Sequence, residues 1–96
     1  MFITTTISKP RADQIESVET YMACFLPRLK ELSGVEAVYH YLRPEQHEDV
    51  TIIVWDDQAA LSMYRESALF REAVIYEKEQ QIPSVREGFP LVYPIS

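Results

Sequence analysis

The sequence predicts an α+β domain in which a four-stranded antiparallel sheet carries two helices on one face. Three observations predict it. Four short segments are rich in β-branched and aromatic residues. Two longer segments between them repeat their apolar residues at helical spacing. Proline, glycine and capping residues fall at the joints.

Phe2 to Ser8 is rich in Thr and Ile and reads as a strand. Lys9-Pro10 ends it, and proline suits the first turn of a helix. From Arg11 to Leu32 the apolar residues Ile15, Val18, Met22, Phe25, Leu29 and Leu32 share one helical face. Asp13, Glu16, Glu19 and Lys30 occupy the other face, and Pro27 is expected to kink this helix. Ser33-Gly34 is a helix stop. Val35 to Arg43 alternates, with Val35, Ala37, Tyr39 and Tyr41 on one side and Val38, His40 and Leu42 on the other. Pro44 to Asp49 is read as a polar turn. Val50 to Trp55 is the most apolar strand and the central one. Asp56 or Asp57 caps a second helix carrying Ala60, Leu61, Tyr64, Phe70, Ala73 and Val74, with a fresh segment starting at Ser67. Gly88 leads to a last strand at Phe89 to Ile95, whose prolines suit a sheet edge.

The order β-α-β-β-α-β is that of the ferredoxin-like fold, as a single domain over residues 1–96. Such a sheet has a second face, and here tyrosines and alternating apolar residues occupy it. An exposed apolar patch of that kind marks an association surface. Two sheets packed face to face across a two-fold axis would cover it, giving a dimeric α+β barrel.

Charge and composition narrow the function classes. The net charge is -6 and the pI about 4.8, so the surface repels phosphate backbones and anionic lipids; neither nucleic acid nor membrane is expected as a partner. No apolar run has the length of a transmembrane helix, and Met1 to Thr6 has no signal-peptide character. Cys24 is the one cysteine, which fits a reducing cytoplasm. One cysteine and two histidines do not make a Cys/His zinc site, and two glycines do not make a dinucleotide or phosphate loop. No metal and no cofactor is expected.

The stretch Val54 to Phe70, with Trp55, Tyr64, Ser67 and Phe70 at the marked positions, resembles the antibiotic-biosynthesis-monooxygenase family. That resemblance implies a homodimer with a cavity between sheet and helices in each protomer. It also implies either cofactor-independent oxygenation of a small aromatic, polyketide or quinol-type molecule, or a non-catalytic ligand-binding or accessory dimer. Haem-degrading relatives use a Trp, an Asn and a ligating His. Their Trp and His positions fall on Tyr64 and Val74, and the chain has no Asn, which argues against that chemistry.

The candidate catalytic residues are Trp55, Tyr64 and His40. Trp55 fits stacking on a flat substrate or locking the second helix to the sheet. Tyr64 fits hydrogen bonding to a substrate oxygen or plain packing. His40, among apolar strand neighbours, fits a general base or a hydrogen-bonded buried histidine. His47 lies in a solvated acidic turn. Arg43, Arg65, Arg71 and Arg86 fit an anionic substrate or surface solvation. Cys24 is expected to be a small core residue.

Overall fold

A computed structural model describes residues 1–92 of the chain. Strand β1 (Phe2–Ser8) leads through a 3-10 turn (Ala12–Gln14) into helix α1 (Ile15–Lys30). Strands β2 (Val35–Arg43) and β3 (Glu48–Trp55) follow, then helices α2 (Gln58–Arg65) and α3 (Ala68–Glu79), and strand β4 (Ser84–Pro90). All neighbours are antiparallel in the order β2-β3-β1-β4. This is the ferredoxin-like α+β topology. The apolar segment at Val50 is internal in the sheet, as its composition requires, since charge is costly where both sides of a strand are paired and covered.

The helix stops and starts have local causes. Asp57 caps α2 by accepting the Ala60 amide at 2.9 Å, and Ser67 caps α3 by accepting the Phe70 amide at 3.2 Å. Gly34 ends the α1–β2 connection at φ 88°. A Cβ there would lie 2.5 Å from the Ala60 side chain, so both backbone angle and space exclude other residues.

Four details depart from the sequence reading. A register shift between Val35 and Ala37 places an extra residue in β2, so Val35 turns to the helix side and is buried against Trp55. The turn after β2 is short (Pro44–Gln46), and Glu48 and Asp49 belong to β3. The last strand begins at Ser84 and pairs with β1 over its whole length, while Leu91 and Val92 lie beyond it. Charged Arg86 and Glu87 are tolerated because β4 is an edge strand. The expected continuation to Ile95 lies partly outside the described residues. Cys24 is exposed, because it sits one step off the α1 stripe of Val18, Phe25 and Leu29 that meets the sheet.

Register sorts the sheet into rows on its helix side. Phe2, Trp55 and Val35 make an apolar row, and Thr4, Ile53 and Val38 the next. Arg86, Thr6, Thr51 and His40 form a third row, and Ser84, Ser8 and Asp49 a fourth. The apolar rows meet Phe25, Leu29 and Leu61 in the core. Polar rows at the other end leave the layers less completely filled. On the opposite face lie Ile3, Ile7, Ala37, Tyr39, Tyr41, Ile52, Val54, Val85 and Phe89. Among the described residues no helix is long and apolar enough to cross a membrane.

Candidate functional site

A cavity of about 80 Å³ opens between the polar rows and the helices. That is room for several waters, each needing roughly 10–15 Å³ on this measure. Its floor is Thr4, Thr6, Ser8, Asp49, Thr51 and Ile53. Its roof is aromatic: Tyr21 and Phe25 from α1, Tyr64 from α2, Phe70 and Tyr76 from α3. Tyr21 stacks on Tyr76 with centroids 3.8 Å apart and lies 5.6 Å from Phe25. Arg86 also borders the cavity, paired with Glu77 (Nη1 to Oε2, 3.0 Å) and lying 5.3 Å over the Phe70 ring.

Of the three sequence candidates, Tyr64 lines the cavity. Burial pushes its phenol up to about 12, so it stays a neutral donor at any physiological pH. The unfolded phenol ionises near pH 10. Stability tied to this group is therefore intact below pH 10 and declines as pH rises toward 12, by at most about 3 kcal/mol. Chemical denaturation at pH 9 and at pH 11 checks this: the loss is expected to shrink in Tyr64→Phe, and an equal loss in both proteins contradicts it.

Trp55 and His40 stand behind the lining. Trp55 is fully buried, its indole N–H donates to Thr4 Oγ1 at 3.0 Å, and its ring lies 5.3 Å from that of Tyr64. His40 is held from both sides: Nδ1 is 3.0 Å from Thr51 Oγ1, and Nε2 is 3.2 Å from Glu19 Oε1. Each therefore sets a threonine that does reach the cavity. His47 is exposed in the left-handed region, closing the turn after β2. Arg43 pairs with Glu48, and Arg71 donates to the Glu66 carbonyl.

Two groups escaped sequence reading. Asp49, assigned to a solvated turn, is 4% exposed with one carboxylate oxygen, Oδ2, buried and unpartnered. Burial pushes its carboxyl up to about 7; nearby His40 opposes the shift and Glu19 adds to it. The signal was the alternation Asp49, Thr51, Ile53, Trp55, which continues the inward face of β3 by one step. Tyr21 is the other. Its hydroxyl is buried without a partner, and burial raises its pKa. Its helical spacing, three after Val18 and four before Phe25, places it on the α1 stripe.

The fold defines the class of structure to which the chain is similar. A crystal structure from Deinococcus radiodurans, assigned provisionally to the antibiotic biosynthesis monooxygenases, superposes with a TM-score of 0.91 over 100% of this chain and 97% of that one, at 11% identity. Rv0793 from Mycobacterium tuberculosis gives 0.84 at 14% identity, with 100% of both chains covered. NE2512 from Nitrosomonas europaea, a protein of unknown function, gives 0.79 at 14% identity, covering 99% of this chain and 92% of that one. The chain thus has the ferredoxin-like α+β fold of the antibiotic-biosynthesis-monooxygenase structures. No family model matches the sequence, and no curated protein matches it; the shared feature is the backbone.

Proposed function

We propose that the protein is a cofactor-independent monooxygenase acting on a small flat aromatic of the quinol or anthrone type, bound in the cavity between sheet and helices. The observation that carries this reading is the Tyr21 hydroxyl: a buried polar group with no protein partner, on a residue lining an aromatic cavity. Burying such a group costs free energy unless something hydrogen-bonds to it. A substrate oxygen is that partner. Structural neighbours described as antibiotic biosynthesis monooxygenases support the same reading.

The chemistry follows from the substrate. A deprotonated quinol or anthrone is electron-rich enough to supply electrons to dioxygen itself. For an anthrone the balance is one CH2 and one O2 in, one C=O and one water out, so the proton lost when the substrate is deprotonated returns in forming the water. Tyr21 and Tyr64, both neutral, donate hydrogen bonds to the substrate oxyanion as charge develops. Tyr76 and Phe70 hold the ring, and the cavity's low polarity strengthens each contact. Trp55 and His40 act as positioning residues, fixing Thr4 and Thr51 of the floor.

Oxygen uptake with a set of anthrones and quinols tests the reading. We expect uptake above the buffer rate, reduced on the order of 10²-fold in Tyr21→Phe, the usual effect of deleting one oxyanion donor. An aromatic retained at one per protomer with no uptake would instead leave a binding protein.

The open face of the sheet supports a homodimer. Tyr39 and Tyr41 on one edge strand and Val85 and Phe89 on the other are exposed there, apolar surface that a second copy would cover.

A further inference from the structure

We propose that Glu19, His40 and Asp49 form a site for one first-row divalent cation, Zn²⁺ in particular, which ties helix α1 to strands β2 and β3. One donor atom from each residue lies within 4.8 Å of the other two. The three come from three elements, so a cation held by all of them cross-links the helix layer to the sheet. His40 Nε2 and Glu19 Oε1 are 3.2 Å apart. Two ligands on one tetrahedral zinc, with bonds of about 2.0–2.1 Å, are separated by about 3.3 Å. Asp49 Oδ1 approaches the same ring at its other nitrogen, Nδ1, at 3.5 Å, and Glu19, reaching in from helix α1, has the freedom to close on a cation held between them.

Two further observations point to a ligand. Asp49 is buried, and its Oδ2 has no hydrogen-bond partner. His40 Nδ1 lies 3.5 Å from Oδ1, which leaves Oδ2 alone without a donating or positive neighbour, and a cation supplies one. The histidine is also oriented as metal-binding histidines are. With Nδ1 hydrogen-bonded to Thr51, Nε2 is left facing Glu19. One imidazole and two carboxylates suit Zn²⁺, Mn²⁺, Fe²⁺ or Co²⁺, and three protein ligands leave room for water on the ion. The site was not legible in the sequence, because Glu19 and Asp49 stand 21 and nine positions from His40.

The inference is independent of the oxygenase reading, and its test uses no substrate. Protein stripped with a chelator is titrated with ZnCl₂ by calorimetry and, separately, with CoCl₂ by visible absorption. One equivalent is expected to bind. Asp49→Asn and His40→Gln should each weaken binding by at least about 100-fold, the upper end of what loss of a supporting outer-shell partner costs. Glu16→Gln, on the exposed side of α1, should leave it unchanged. Because a variant at a buried position can fail to fold, ring NMR signals of the wild-type histidines serve as a second readout. Those of His40 are expected to shift with one equivalent of Zn²⁺ while those of His47, the other histidine, do not. No stoichiometric binding, or a shift confined to His47, overturns the proposal, as does full binding by both variants.

Discussion

Replacing Trp55 with alanine is expected to lower the unfolding free energy by about 3–5 kcal/mol, the range for truncating a buried tryptophan. The residue is fully buried and joins three parts of the molecule. Its backbone lies in β3, its indole N–H reaches Thr4 on β1, and its ring meets Tyr64 on α2. Truncation opens a void in the core formed with Phe25, Leu29 and Ile53. It also strands the Thr4 hydroxyl, which is buried. Domains of this size have about 5–15 kcal/mol in total, so the variant should be largely unfolded in mild denaturant. Trp55→Phe keeps most of the apolar area and loses the hydrogen bond, at about 1–2 kcal/mol. Urea titrations with an unchanged slope measure both. A Trp55→Ala protein within 1 kcal/mol of wild type would refute the view that this indole locks α2 to the sheet.

The second large effect is on assembly. Wild-type protein is expected at twice its 11.2 kDa chain mass in light scattering. The double variant Tyr39→Glu, Phe89→Asp is expected at the mass of one chain. These side chains are 58% and 54% exposed on the open sheet face, one on β2 and one on β4. Facing sheets would desolvate both introduced carboxylates, and burying an unpaired charge costs several kcal/mol. Met63→Glu is the control. Met63 is 72% exposed but lies on α2, away from that face, so the dimer should survive. A monomeric wild type, or equal dissociation by Met63→Glu, would show that the apolar face is not the interface.

Much of the fold was readable because it depends on near neighbours. Helical spacing from Ile15 to Leu29, the Asp57 and Ser67 caps and the Gly34 stop each act within a few residues, and each is where it was expected. β4 was displaced because Arg86 and Glu87 look like loop residues until β1 is seen beside them. The β2 bulge left no mark in composition. Its effect on Val35 became visible only when β2 was set against Trp55.

The candidate site divides along the same line. Tyr64 and Trp55 were found in the sequence because a rare aromatic on an apolar face is conspicuous. Their different fates were not: one lines the cavity, while the other is sealed behind Thr4. Asp49 looked solvated because its sequence neighbours Gln46, His47 and Glu48 are polar. Its spatial neighbours are His40, Thr51 and Glu19.

By itself, then, the sequence determined the element order, the glycine stop after α1, the caps that start α2 and α3 and an apolar second sheet face, since local backbone preference and side-chain period act over a few residues. Helix α1 itself begins at Ile15, four residues later than its spacing suggested. Only the tertiary structure decided which polar groups lie buried. The pairing of β1 with β3 and β4 brings Ser8, Asp49 and Ser84 into one row, and α1 then closes Tyr21 and Glu19 over the sheet. Burial of a polar atom depends on residues tens of positions away, and on that burial the cavity and the cation site both rest.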